Sequence, residues 1–176
     1  MNLVHTFLYA SSHVCDYLEM DYGNHAFSMV IMLPKDGKTT RDVIATMDGK
    51  KWADAVQSLT LKEIQVLLPR FKAECEYPMH EHILPDMGMK LPFNPELADL
   101  SGIADVTGLY ISKVIHKTFV QVDEEGTEAA AVTSVDVLPT GESPMQVFTV
   151  DRPFLFVIRE KSTGVILFIG EIGEIQ

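Results

Sequence analysis

Histidine and cysteine are the side chains of this sequence that could bind a metal ion or carry out catalysis. His80 and His82 stand two residues apart, and residues at that spacing point to different faces of a helix. No cysteine or carboxylate completes a zinc-ligand spacing with them, so a surface or loop role is favoured over metal ligation. Cys15 and Cys75 fit neither a disulfide framework nor a metal motif, and two free thiols are favoured over a disulfide between them.

His116 is the histidine with the most specific surroundings. In "VIHKTFV" an extended strand puts it on the same face as Val114, Thr118 and Val120, which predicts a buried histidine. A buried imidazole needs a hydrogen-bond partner, and a structural role is favoured over catalysis. The chain has no GxSxG elbow, no phosphate-binding loop and no GxGxxG motif. The sequence therefore predicts a protein that is not an enzyme and that needs no metal and no cofactor.

Length, charge and hydropathy narrow the class of protein further. The 176 residues can form one domain with a substantial core, and an apolar content of 47% is typical of a globular soluble protein. A net charge of −11 disfavours nucleic acid as a partner, because a phosphate-binding surface needs clustered lysine and arginine. The apolar runs "FSMVIMLP" and "GVILFIG" are too short to cross a bilayer, so no membrane partner is expected. The first residues, "MNLVHTFLYASS", lack the features of a signal peptide.

The sequence predicts strands and then a helical stretch in the first third of the chain. Apolar and polar residues roughly alternate from Leu3 to Tyr22, which indicates strands, and "HAFSMVIMLP" predicts a buried strand closed by "KDG". The stretch "TTRDVIATMDGKKWADAVQSL" predicts a helix capped by Thr39 or Thr40. We expect Gly49 to break this helix, and a second short helix to follow.

The remaining elements are mostly strands. They are predicted in "LKEIQVLLPRFKAECEY", with a bend or an edge position at Pro69, and in "LYISKVIHKTFVQV". Two more are predicted in "MQVFTVDRPFLFVIRE" and "GVILFIGEI", joined by a hairpin turn at "KSTG". A short helix is predicted from Pro78. Strands outnumber helices and do not alternate regularly with them. The predicted class is therefore α+β, with mostly antiparallel sheets and a few short helices in a single domain over residues 1–176.

Several of these segments, in this order, resemble the serpins, the serine protease inhibitor superfamily. The strongest match is "HKTFVQVDEEGTEAAA", followed by a variable stretch and then "FTVDRPFLFVI". The segments "YLEMDYGNHAFSMVIMLPK", "LPRFKAECEY", "MGMKLPFNPELADLSGI", "LYISKVIHKTFVQV" and "ILFIGEI" also look like successive serpin segments. The resemblance covers essentially the whole chain, and it implies the serpin fold and serine-type endopeptidase inhibition.

The resemblance identifies residues 126–147, approximately, as a reactive-centre loop. In serpins a protease cleaves this bait, and its N-terminal part then inserts into the main sheet as a new strand, which traps the acyl-enzyme. Gly126 would be the pivot, and a period of two would point Thr127, Ala129, Ala131 and Thr133 into the sheet, with Glu128, Ala130, Val132 and Ser134 outward. Small inward side chains avoid overpacking. The implied hinge comprises Glu125, Gly126, Thr127, Glu128, Ala129, Ala130 and Ala131.

Three further positions carry over from the family motifs. Glu124 matches the glutamate at the top of the long strand, which pairs with a basic residue at the "LPR" position, here Arg70. This pair would lie where the loop first enters the sheet. His116 matches the histidine that acts as a hydrogen-bond latch where the strands must part. The resemblance thus implies a sheet-opening role for all three residues.

The cleaved bond is open between two alternatives. Counting forward from Gly126 by the usual family spacing gives the bond between Thr140 and Gly141, which suggests an elastase-like protease. Counting backward from Pro153 gives the bond between Glu142 and Ser143, which suggests a protease that prefers acidic residues. We favour Thr140, because the preceding Val-Leu-Pro reads as a protease-subsite sequence. A serine protease is the expected partner, and a cysteine protease is the alternative.

The chain departs from the family in its length. It matches only the C-terminal half of a serpin, so we expect a serpin fold that lacks the N-terminal helices and the first strands of the main sheet. We expect the chain alone not to inhibit and to need a complementary N-terminal serpin segment. An unpaired edge is expected along residues 109–122, and a buried mini-sheet from "HAFSMVIMLP", "PFLFVIRE" and "GVILFIGEI". The alternative function is a non-inhibitory fragment with an interaction or structural role, or an inactive truncated product. An extracellular or cell-envelope location is the family expectation.

Overall fold

The computed structural model describes residues 1–104, 106–123 and 145–174, and its elements confirm an α+β fold. A single 3-10 turn, Leu91–Phe93, is also described. In chain order the elements are β1 (Asn2–Ser11), β2 (Cys15–Tyr22), β3 (Phe27–Pro34), α1 (Thr40–Thr46), α2 (Gly49–Gln57), β4 (Thr60–Leu67), β5 (Phe71–Pro78), α3 (Ile83–Asp86), β6 (Ile115–Val122), β7 (Gln146–Thr149), β8 (Phe154–Glu160) and β9 (Ile166–Ile172).

The described strands form two sheets. Seven strands pair in the order β7-β4-β1-β2-β3-β8-β9, and β5 pairs with β6 in a separate sheet. Neighbours in the larger sheet are antiparallel except β4 and β7, which run parallel. The chain folds as two compact units, one of Met1–Phe71 with Val122–Gln176 and one of Lys72–Gln121. The one-domain organisation suggested by length stays a prediction.

The core of the first unit is centred on β3. This strand has β2 on one side and β8 on the other, and its continuous apolar sequence is buried on both faces from Met29 to Leu33. Leu18, Ile31 and Phe154 have no exposed surface. A strand whose two faces are both covered reads as a continuous apolar run, which is why "FSMVIMLP" was recognisable as a strand in the sequence.

The helices α1 and α2 cover part of this core. Thr39 is the N-cap of α1, where its side chain accepts from the Asp42 N–H and the Asp42 carboxylate accepts from the Thr39 N–H. Gly49 does not break a helix but begins α2, because the Asp48 side chain accepts from the Lys51 N–H and starts a new helix at that point. Trp52 packs against the buried cluster together with Met47, Ala55 and Leu59.

Two predicted elements of the second unit have different bounds. Pro78 does not begin a helix but ends β5, because the next N–H, of Met79, donates to the Val114 carbonyl oxygen at 2.9 Å; α3 begins at Ile83. The predicted strand over residues 109–122 begins at Ile115. In the part before Ile115, the Ile111 N–H donates to the Pro92 carbonyl oxygen at 2.8 Å and not to a neighbouring strand.

The C-terminal hairpin of β8 and β9 confirms the predicted turn but not the predicted burial. The chain turns at residues 161–164, where Gly164 has a φ of 74°, a conformation that favours glycine. β3 and β8 are buried, whereas β9 is largely exposed, with Ile169 at 68%. Two residues of β9 lie closer to the rest of the sheet: Ile172 is 8% exposed, and a Cβ at Gly170 would lie 2.6 Å from the Phe156 ring. The exposure arises because β9 is the last strand of the described sheet.

The turn between β8 and β9 contains a titratable group that should make stability depend on pH. The Glu160 carboxylate accepts from the hydroxyl and N–H of Thr163 and from the N–H of Ser162, and these bonds lower the pKa of Glu160 from 4.5 to about 2. Because the pKa is depressed in the folded state, the contribution is fully present above pH 4.5 and is lost as the pH falls from 4.5 through 2.

We therefore expect the Glu160→Gln variant to lose less stability than the unaltered protein between pH 4.5 and pH 2. Urea unfolding at a series of pH values measures this difference, and a carboxyl NMR titration gives the pKa of Glu160 directly. A midpoint near 4.5 for Glu160 in the folded protein would contradict the prediction.

Candidate functional site

The segment that the sequence singles out as a bait lies outside the described residues, which stop at Asp123 and resume at Met145. Glu124, the hinge residues 125–131 and both candidate bonds, between Thr140 and Gly141 and between Glu142 and Ser143, therefore stay predictions. The structure describes what lies on either side of this segment. The chain enters it from the end of β6 and leaves it into β7, so the predicted loop end at residue 147 extends two residues into a strand.

Arg70, the proposed partner of Glu124, lies in the short connection between β4 and β5. It is exposed and directly follows Pro69, at the point where the chain leaves the larger sheet for the two-stranded sheet. Of the two predicted roles of Pro69, a bend or an edge position, the structure shows a break between strands, since β4 ends at Leu67 and β5 begins at Phe71. The pairing of Arg70 with Glu124 stays a prediction, because Glu124 is not among the described residues.

His116 lies on β6, as predicted, but it is exposed and not buried. The face of β6 that it shares with Thr118, Val120 and Val122 becomes buried only towards the end of the strand, where Val120 and Val122 are 9% and 8% exposed. Alternation correctly identified the face, but it does not say how far along the strand that face is covered. The predicted latch role of His116 stays a prediction.

Of the histidine pair His80 and His82, His80 makes a hydrogen bond to the backbone. The Nδ1 atom of His80 donates to the Val114 carbonyl oxygen at 3.2 Å, which ties residue 80 to the start of β6. Both cysteines are free thiols, as expected; Cys15 is buried and Cys75 is half-buried. In residues 1–104, 106–123 and 145–174, no group of three or more His, Cys, Asp or Glu side chains is placed to hold a metal ion.

The strand β7 attaches the chain that follows residue 144 to the larger sheet. It pairs parallel with β4 from Ile64 opposite Gln146 to Leu67 opposite Thr149, and the Val150 N–H then donates to the Leu67 carbonyl oxygen at 2.8 Å. Phe148 is 4% exposed, and its ring contacts that of Tyr9 edge-on at 6.4 Å between centroids. These contacts give a physical reason for the "FTVDRP" sequence after the bait, since its apolar residues hold a short strand to the sheet.

A buried charged cluster that the sequence analysis missed joins β2, β3 and β8. Glu19 is 3% exposed and Arg159 is 8% exposed. The Oε1 atom of Glu19 accepts from the Nη2 and Nε atoms of Arg159 at 2.7 and 3.1 Å, and from the Ser28 hydroxyl at 2.5 Å. The available signal was a charged residue next to apolar residues in each of two strand sequences, Glu19 in "LEM" and Arg159 in "FVIR". The arrangement fixes three strands to one another and has no reactive group exposed to a substrate.

No described helix has the length and apolar character of a bilayer-spanning helix; the longest, α2, has nine residues.

Comparison with known proteins identifies the family. The family model for the serpins, serine protease inhibitors, matches residues 1–175. The human leukocyte elastase inhibitor is 39% identical over 166 residues, which are 90% of this chain and 43% of that protein. Intracellular coagulation inhibitor 1 of Tachypleus tridentatus is 36% identical over 174 residues, 96% of this chain and 41% of that protein. Since one relative bears the name of an intracellular inhibitor, membership does not support the expected extracellular location.

Comparison of the fold with solved structures also identifies the serpin family. The crystal structure of tengpin, a thermophilic serpin in its native state, matches 99% of this chain and 45% of that chain, with a TM-score of 0.82 and 35% identity. The chain therefore spans about half the length of the relatives that it matches. The order of strands, the sequence around β6 and β7, and the match to the family model agree, and the chain belongs to the serpin family.

Proposed function

We propose that this chain is the C-terminal half of an inhibitory serpin, which traps a serine protease as a suicide substrate once the rest of the fold is supplied. The observation that carries the proposal is the segment of small, alternating residues that follows β6 and precedes β7. A bulky, charged or proline residue at an inward hinge position would oppose insertion into a sheet, and Thr127, Ala129, Ala131 and Thr133 avoid this. Membership in a family of protease inhibitors supports the same reading.

The proposed reaction begins as ordinary proteolysis. The protease serine attacks the Thr140 carbonyl, the bond to Gly141 breaks, and the Gly141 amine leaves with the proton that the serine gave up. Thr140 is then joined to the protease as an ester. The main sheet of the complete serpin is the one to which β5 and β6 would belong, not the seven-stranded sheet described above. The residues before Thr140 insert into this main sheet next to β6 and carry the protease with them. The active site of the protease is thereby distorted before water can hydrolyse the ester. Glu124, Arg70 and His116 would control the entry of the inserting strand.

The proposal includes a partner, a polypeptide that corresponds to the part of the serpin relatives that this chain does not match. Two features of the described structure support it. β9 is the last strand of the larger sheet, and its residues from Ile166 to Ile169 are all large, apolar and 38–68% exposed. In the described chain β6 pairs with β5 alone, which leaves one of its edges for a further strand. An exposed apolar edge such as the one from Ile166 to Ile169 invites pairing with another chain.

An elastase-like enzyme is the proposed target. Thr140 is a small residue, and small residues suit the small, apolar specificity pocket of elastases. Similarity to a protein named leukocyte elastase inhibitor favours the same class. The bond between Glu142 and Ser143 is the alternative, and it would indicate a protease that prefers acidic residues.

The deciding experiment incubates the chain with leukocyte elastase, with and without the N-terminal half of a matched serpin relative. We expect an SDS-stable adduct only in the presence of the N-terminal half, and mass spectrometry of the released peptide should identify the bond after Thr140. Elastase with a blocked active-site serine is the control and should give no adduct.

Cleavage without an adduct in both reactions would contradict inhibition and favour a non-inhibitory fragment. An adduct formed by the chain alone would contradict the need for a partner polypeptide. Cleavage after Glu142 would exclude the favoured bond.

A further inference from the structure

Two prolines face each other where the ladder between β3 and β8 ends. The last paired residues at this end are Met32 and Leu155, and the same register continued by two residues places Pro34 opposite Pro153. Proline has no N–H, so Pro153 cannot donate to the carbonyl oxygen of Pro34. A backbone carbonyl at the edge of a packed core needs a donor from elsewhere.

The side chain of Arg152 supplies that donor. Its Nε atom donates to the Pro34 carbonyl oxygen at 2.9 Å. The same guanidinium contacts the carboxylates of Asp151, at 3.1 Å from Nη1, and Asp36, at 3.5 Å from Nη2. Arginine suits this position because its planar group can donate to the carbonyl and to a carboxylate at the same time. Arg152 thus replaces the backbone bond that Pro153 cannot make.

This contact lies immediately after β7. The strand has four residues, is the last strand on its side of the described sheet, and pairs in the parallel sense, which is slightly weaker per residue. Directly after β7 the Val150 N–H donates to the Leu67 carbonyl oxygen, two residues before Arg152. A short edge strand of this kind tends to open locally unless the chain beyond it is fixed.

We infer that Arg152 is a positioning residue that holds β7, the first strand after residue 144, against the larger sheet. The bond from Nε to Pro34 is the contact that does this. The ion pair with Asp36 contributes little, because the Asp36 side chain is 97% exposed and water screens it. The attachment of β7 is independent of the proposed inhibition. Its consequence, that β7 stays attached to the larger sheet when a protease cleaves the chain, rests on the proposed function.

Hydrogen–deuterium exchange of the whole chain, read by mass spectrometry, tests the inference without a protease. We expect the Arg152→Ala variant to exchange the amides of β7 and Val150 about tenfold faster, with exchange in β3 unchanged. The Arg152→Lys variant keeps a donor and should stay within about threefold of the unaltered protein. The matched control, Asp36→Ala, removes only the ion pair and should leave β7 protected.

Three results would overturn the inference. They are unchanged exchange of β7 in Arg152→Ala, an equal loss of protection in Asp36→Ala, or an equal increase in β3, which would mean a general loss of stability. Because none of these measurements involves a protease, failure here is distinguishable from failure of the proposed function.

Discussion

Replacing Arg159 by alanine is expected to lower the free energy of unfolding of the first unit by about 3–5 kcal/mol. The change leaves the Glu19 carboxylate 3% exposed and without its cation, and a buried, unpaired charge is among the most costly defects in a protein. Urea unfolding can be followed through Trp52, the one tryptophan of the chain, which packs against the core of the same unit.

The double variant Glu19→Met, Arg159→Met is the control for this prediction. Removing both charges eliminates the cost of desolvating them, so apolar replacements of similar size should recover most of the lost stability. The free energy of unfolding of the double variant should stay about 1 kcal/mol below that of the unaltered protein, because the Ser28 hydroxyl loses its acceptor. The Oε2 atom of Glu19 is buried with no hydrogen-bond partner among the described residues, which makes the native pair less favourable still. A double variant as unstable as Arg159→Ala would show that the loss comes from packing and not from the unpaired charge.

Replacing Ala131 by arginine is expected to convert the proposed inhibitor into a substrate. In the predicted alternation Ala131 points into the main sheet, where an arginine would overpack a filled core and bury a charge. Insertion would slow while hydrolysis of the ester continued, so the yield of SDS-stable adduct with elastase should fall at least about tenfold. The measurement uses the chain together with the N-terminal half of a serpin relative, and compares adduct with cleaved product on a gel.

The neighbouring variant Ala130→Arg is the matched control. It introduces the same side chain one residue earlier, where the alternation points it outward, and it should leave the adduct yield within about twofold of the unaltered protein. An equal loss in both variants would contradict the alternation. Adduct formation that survives both changes would contradict insertion of this segment.

The sequence predicted best the features that depend on neighbouring residues. Thr39 and Asp42 form a capping box from side chains three residues apart, and the turn with Gly164 joins adjacent strands. The buried strand β3 was recognisable because both of its faces are covered, which leaves a continuous apolar run. The family was recognisable for a related reason, since its motifs are short segments in a fixed order.

The sequence predicted less well the features that depend on packing or pairing between segments distant in the chain. His116 lies on the predicted strand and face but is exposed, and β9 has the composition of a buried strand but lies at the edge of the described sheet. Pro78 carries a helix-start signal, but the backbone next to it bonds to Val114, thirty-odd residues away in the chain, so it ends a strand. Local propensity cannot report such distant partners.

The amino-acid sequence by itself determined the class of fold, the family, and the alternation of small residues in the segment 124–144, because each is written in short stretches of chain. Only the tertiary structure decided that Glu19 and Arg159 form a buried pair across 140 residues, that β7 runs parallel to β4, and that Arg152 takes the place of an absent proline N–H. The physical reason is that a charge or a donor has no defined partner until strands distant in the chain are brought into register.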